Sequence, residues 1–182
     1  MNTTLNTTRY QIRPGRLDEL EHLREIEQLA GRAFADHGMP EVAEDEPPDI
    51  DTLSNYCLEG RLWVAVDSSD LPVGYLIAEL VDGCAHIEQV SVHPHHAGQR
   101  IGEALIETLT HWAAARGLHA LTLTTFKDVP WNAPYYERIG FHPVPEADES
   151  PGLRTIRNNE RRLGLDRWPR LCMRRHITDA GS

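Results

Sequence analysis

The chain has 182 residues, 40% of them hydrophobic and 25% charged, with a formal net charge of -10. That length and balance suit one compact domain over residues 1–182, its core about 9–177, and the negative charge weighs against attraction to a polyanion such as tRNA or DNA. No run approaches the roughly 18 consecutive apolar residues of a membrane span, and MNTTLNTTRY carries neither the basic nor the apolar part of a secretory signal, so a cytoplasmic protein is expected.

In chain order, RYQIRP reads as a short first strand closed by Pro14, which cannot donate to a ladder. Leu17, Leu20, Leu23, Ile26, Ala30 and Phe34 then recur at helical spacing and predict one amphipathic helix stopped at Gly38. A polar loop with Pro47 and Pro48 leads to a second short helix, capped by Asp49 and ended by Gly60. RLWVAVD, LPVGYLIAELVD and CAHIEQVSVHP follow with SSD and DG between them, predicting an antiparallel meander. Ile101, Leu105, Ile106, Leu109, Trp112 and Ala113 form one face of a helix from Gly98 to Arg116, which Gly117 terminates. HALTLTTF comes straight after it, so a crossover to a parallel neighbour is expected. WNAPYYERIG predicts a short helix ending at Gly140, FHPV a strand, GLRTIRNNERRLGL a helix and WPRLCMRRHI a last strand.

Charge is unevenly spread. Asp36, Glu41, Glu44, Asp45, Glu46, Asp49, Asp51 and Glu59 stand together without an intervening Lys or Arg, whereas Arg154, Arg157, Arg161, Arg162, Arg167, Arg170, Arg174 and Arg175 crowd the C-terminal part. Either these segments meet a cation and an anion respectively, or both are solvated surface whose charges partly pair. Cys57, Cys84 and Cys172 have unrelated spacings and no C-x-x-C pair, which fits buried or idle thiols.

The segment VSVHPHHAGQRIGEALI concentrates the chemistry. A strand ending at Pro94 feeds a glycine-containing turn and then a helix, so the amides at the helix start lack intrahelical partners and, with the helix dipole, favour a phosphate. Gly98 lets the chain turn tightly and Gly102 lets a ligand or strand approach the first helical turn. Neither the Walker pattern nor G-x-G-x-x-G is present. His93, His95 and His96 read as solvated turn residues, and no metal site is expected from them.

The order of strand, V-x-V-x-P, glycine turn, helix and strand, followed by NAPYYERIGF from Asn132 to Phe141, resembles the GNAT superfamily of acyl-CoA-dependent N-acyltransferases. The resemblance runs from about Arg9 to the final strand. It implies an α/β (α+β) fold: a mixed, mostly antiparallel sheet, splayed at its centre and flanked by helices. It also implies acetyl-CoA as acyl donor, with no metal, and direct attack of an amine on the thioester. Against the family pattern [QR]-x-x-G-x-[GA], Ala97 holds the first position and Arg100 that of the central glycine, with Gly102 last. Pyrophosphate contacts are therefore expected from the Gly98, Gln99, Arg100, Ile101 and Gly102 amides. The Arg100 guanidinium either forks a phosphate or pairs with Glu103 or Glu107.

Such chemistry needs a base, a donor to the developing oxyanion and an acid for the thiolate. By the resemblance, the Val90 N–H is the oxyanion donor, and Val92, with Ser91 between them, holds the pantetheine arm. His86, Glu88 and Val90 share one strand face. The positions of His86 and Glu88 carry the base in similar proteins, and Glu88 is preferred. Tyr136 corresponds to the family's acid; a phenol with an ordinary pKa near 10 is neutral at working pH. Tyr135 competes with it or packs on the sheet, Asn132 is a candidate pantetheine contact, and Trp131 either walls the acceptor pocket or is a core or lid residue.

By the resemblance, the acidic loop from Asp36 to Asp51 forms one wall of the acceptor groove; either the loop is only solvated surface or a small cationic amine acceptor is expected. Two other readings stand beside that one: a noncatalytic acyl-CoA sensor, and a protein or aminoacyl-tRNA acetyltransferase, the latter disfavoured for RNA by the net charge. A homodimer through RLCMRRHI or adjacent helices is the assembly common in similar proteins.

Overall fold

β-branched and aliphatic residues dominate the runs LWVAV, PVGYLIAELV and ALTLTTF, which form three of the strands. The computed structural model describes residues 9–178. Strand β1 (Gln11–Pro14) is followed by helices α1 (Leu20–Gly31), α2 (Ala33–Asp36), α3 (Pro40–Ala43) and α4 (Ile50–Leu58). The meander β2 (Leu62–Val66), β3 (Pro72–Val81) and β4 (Cys84–Val92) comes next, then α5 (Ile101–Ala114) and β5 (Ala120–Phe126). The chain continues through α6 (Ala133–Arg138), β6 (His142–Val144), α7 (Pro151–Arg162) and β7 (Arg170–His176).

The seven strands form one sheet in the order β1-β2-β3-β4-β5-β7-β6, the mixed, mostly antiparallel α/β arrangement expected from the sequence. Its parallel step is narrow: β4 meets β5 at Ala85↔Leu121 and His86↔Thr122. By contrast β5 and β7 pair along seven antiparallel rungs, Ala120↔His176 to Phe126↔Arg170. The DG signal gives a tight β3–β4 turn in which Asp82 (φ 50°) and Gly83 (φ 76°) are both left-handed.

Contacts group into two compact units interleaved along the chain, one holding residues up to 77 together with 89–105, the other 78–88 together with 106 onward. In the first unit Leu20, Leu23 and Ile26 of α1, Leu53 of α4, Leu62, Val64 and Val66 of β2 and Tyr75 and Ile77 of β3 form a buried cluster. Arg13 ties the first turn to the β2–β3 loop by pairing with Glu19 and with Asp70, each at 2.8 Å. The Tyr75 hydroxyl donates to Glu27, whose carboxyl burial pushes above its ordinary range.

In the second unit Val144, Leu153 and Cys172 form a cluster against which Ile156 packs. The Asp82 carboxylate accepts from the Ser150 hydroxyl and, at 2.8 Å, from the Gly152 N–H, so the turn between β3 and β4 caps the start of α7. Four of the C-terminal arginines pair with acids of their own unit: Arg157 and Arg170 with Glu160, Arg161 with Glu146 and Asp166, Arg175 with Glu107.

Three boundaries differ from the sequence reading. The first helix breaks after Gly31, where the Arg32 N–H turns back to Leu29 O, and α2 is a separate turn ending before Gly38. The acidic segment contains α3, started by Pro40, whose missing N–H and fixed φ suit a first helical position. Helix α5 begins at Ile101 rather than Gly98, because Gly98 (φ 76°) and Arg100 (φ 59°) are left-handed and cannot join a right-handed helix. Among the described residues, no helix is long and apolar enough to cross a membrane.

Candidate active site

The turn after β4 belongs to the first unit. Its entry is fixed by the His93 N–H, which donates to Val73 O at 2.8 Å. It is also fixed by close approach of Gly74, where an added Cβ would lie 2.9 Å from Ser91 O and 3.3 Å from the Ile101 side chain. Ser91 is buried and its hydroxyl accepts from Gln89 Nε2 at 2.7 Å, while Val90 and Val92 are half-buried. Ala97 is extended, and Ala97, Gly98, Gln99 and Arg100 are all exposed. Ile101 is buried and anchors the helix start.

The first backbone bond of α5 runs from the Ala104 N–H to Arg100 O at 3.0 Å, so the amides of Ile101, Gly102 and Glu103 precede the intrahelical ladder. Glu107, one of the two acids weighed as a partner for Arg100, pairs with Arg175 at 2.9 Å. An exposed turn with unladdered amides and a guanidinium matches the chemistry of a pyrophosphate.

Arg100 occupies the position of the family's central glycine, and its left-handed φ explains why glycine suits it. Arg100→Gly is expected to raise stability by about 1 kcal/mol, seen as a melting temperature about 2–4 °C higher, while weakening acetyl-CoA binding. A lowered melting temperature would contradict the turn geometry.

Tyr10, which sequence reasoning did not single out, clasps this turn. Its hydroxyl donates to Gln99 Oε1 at 2.7 Å and lies 2.9 Å from His96 Nδ1. The rings of His93 and His95 are 4.9 Å apart, and those of His93 and His96 5.9 Å. Burial first, then the neighbouring His95, His96 and His22, hold the His93 imidazole below its ordinary pKa.

The acid–base candidates belong to the second unit. Glu88 is solvent-accessible yet hemmed in by protein, and this partial desolvation, followed by the charges of Glu79 and Glu160, pushes its carboxyl up to about 6. Glu160 is itself held by Arg157 at 3.0 Å, by Arg170 at 2.7 Å and by the Thr124 hydroxyl at 2.7 Å.

His86, the alternative to Glu88 as base, lies in the interior. It is only 2% exposed, its Nδ1 lies 2.9 Å from Thr122 Oγ1, and burial brings its pKa down to about 4. An imidazole so enclosed is a neutral interior hydrogen-bonding group.

Tyr136 is half-buried on α6, with its ring edge-on to Tyr135 at 5.3 Å and to Phe141 at 5.7 Å. Burial, then Tyr135, pushes its phenol above the ordinary value, so it keeps its proton through neutral pH. Asn132 stands before α6; its carbonyl accepts from the Tyr136 N–H at 3.0 Å, and its side chain does not cap the helix. Tyr135 is half-buried with the Arg138 guanidinium 5.9 Å from its ring, and Trp131 is exposed.

Known proteins resemble this chain in sequence or in fold. A Salmonella typhimurium (strain LT2) protein, the peptidyl-lysine N-acetyltransferase YjaB, is 32% identical over 90 residues, covering 50% of this chain and 52% of that protein. The match thus spans about half the length of that curated relative. The solved structure of a GNAT-family acetyltransferase from Staphylococcus aureus Mu50 superposes with a TM-score of 0.70 at 14% identity, covering 93% of this chain and 99% of that one. The PaiA N-acetyltransferase of Thermoplasma acidophilum, solved with coenzyme A, does so with a TM-score of 0.63 at 13% identity over 92% and 98% of the two chains. Both show the same fold. The profile of the Acetyltransferase (GNAT) family matches residues 21–141, two-thirds of the sequence, and the chain belongs to that family.

Proposed function

We propose that the chain moves the acetyl group of acetyl-CoA to a primary amine by direct attack. Glu88 takes a proton from the ammonium, the neutral nitrogen forms a bond to the thioester carbonyl carbon, and the carbon–sulfur bond breaks as Tyr136 gives its proton to the departing thiolate. The Val90 N–H is the proposed donor to the carbonyl oxygen, and Val92 the hold on pantetheine.

The observation that carries this reading is the accessible Glu88 carboxyl with a pKa of about 6, close to the pH at which a base must work. The confinement of β4–β5 pairing to Ala85 and His86 supports a pantetheine contact farther along β4. The exposed turn from Ala97 to Gly102 supports a pyrophosphate contact, and the Thermoplasma neighbour was solved with coenzyme A. Three free cysteines fit a reducing, cytoplasmic setting.

The acceptor we propose is a cationic amine. Glu88 and Glu79 favour an ammonium, as do Glu44, Asp45 and Glu46 of the acidic segment. A lysine side chain is such an amine, and the Salmonella relative is named for peptidyl-lysine. Thiol release from acetyl-CoA, measured across small diamines, amino acids, aminoglycosides and lysine peptides, tests this. Faster release with cationic acceptors is expected, and a higher acceptor KM when Glu44, Asp45 and Glu46 are replaced by glutamine or asparagine. Acetyl-CoA binding without turnover of any amine would favour a noncatalytic sensor instead.

A further inference from the structure

Arg175, on β7, makes three polar contacts. Its Nη1 donates to the Ile139 carbonyl at 3.0 Å, its Nη2 donates to Thr110 Oγ1 at 2.6 Å, and the same nitrogen lies 2.9 Å from Glu107 Oε1. Glu107 and Thr110 lie on α5, so the guanidinium links that helix to the C-terminal end of α6, where the Ile139 carbonyl would otherwise lack a helical donor.

The same guanidinium carbon lies 5.2 Å from the centroid of the Phe141 ring, which is fully buried. Gly140, with φ 98°, leaves the path open: a Cβ there would come within 3.3 Å of Arg175 Cδ. Phe141 in turn packs edge-on to Tyr136, and its N–H donates to Tyr136 O at 3.0 Å. Arg175 therefore braces the residues that hold the Tyr136 ring, without touching that ring through any of these contacts.

We propose that Arg175 is a positioning residue that sets the Tyr136 phenol for proton delivery. This rests on Tyr136 being the acid. A guanidinium is suited to the task because its planar fork can serve a carbonyl, a hydroxyl and a carboxylate at once, which an ammonium does with less fixed geometry.

The test is a double-mutant cycle read in steady-state kinetics. Arg175→Ala is expected to lower kcat by about tenfold, as displacement of a catalytic group does, with the KM for acetyl-CoA unchanged; Arg175→Lys recovers part of the loss. In a Tyr136→Phe background Arg175→Ala is expected to cause no further loss. If Tyr136→Phe alone leaves kcat intact, the assignment of the acid fails. If Tyr136→Phe slows the reaction but the two losses multiply in full, the positioning role fails while the acid stands. Thr110→Val, which removes one contact and keeps the charge, repeats the cycle should Arg175→Ala not fold: a smaller loss, absent in the Tyr136→Phe background, is expected, and a loss that persists there overturns the proposal.

Discussion

Tyr136→Phe is expected to lower kcat by about 100-fold, corresponding to roughly 2.7 kcal/mol of transition-state stabilisation, while the Kd for acetyl-CoA stays within about twofold. The change removes only the hydroxyl. The ring keeps its edge-on contacts with Tyr135 and Phe141, so the helix that carries it should remain in place. Because its surroundings raise the phenol's pKa, Tyr136 keeps its proton at neutral pH and is in the form an acid must have when the carbon–sulfur bond breaks. The predicted signature is a loss in kcat without a loss in donor affinity. Unchanged turnover would assign proton delivery to water or to another group.

Glu88→Gln is expected to reduce kcat/KM by about 100-fold and to change the pH profile. The Glu88 carboxyl has its pKa raised to about 6, so it is protonated below that pH and ionised above it. A base must be ionised; activity is therefore expected to rise with pH through about 6 and to be lost as pH falls through the same value. His86, already lowered to about 4, contributes no inflection there. In Glu88→Gln the limb near 6 should vanish. Its persistence would show that a different group titrates.

The origin of that pKa shows what the sequence makes legible and what it does not. Local signals marked the DG turn, the Asp49 cap, whose side chain accepts from the Thr52 N–H, and the strand, turn and helix around Gly98, because turn and cap chemistry acts over a few residues. Alternation along β4 put His86 and Glu88 on one face, yet could not tell that His86 is interior while Glu88 is accessible. His86 meets Thr122, which the narrow parallel step with β5 brings alongside.

Other parts of the candidate site arise only from folding. Tyr10 reaches His96 and Gln99 across more than eighty residues, and Arg175 reaches Ile139 across 36. No spacing rule announces either. Arg100 looked like a departure from the family pattern; its left-handed φ shows that the turn keeps its shape with a side chain where the pattern has none. The sequence left the C-terminal arginines as either an anion's partner or surface whose charges partly pair; four of them are engaged by Glu107, Glu146, Glu160 and Asp166.

The most direct measurement is calorimetric titration with acetyl-CoA beside acetyl-pantetheine, which carries the same thioester without the nucleotide and pyrophosphate. Micromolar binding of acetyl-CoA, with acetyl-pantetheine at least tenfold weaker, is the predicted result. Absence of heat with acetyl-CoA, or equal affinity for the two, would contradict the assignment of the turn from Ala97 to Gly102 to the pyrophosphate and, in the first case, the proposed reaction with it.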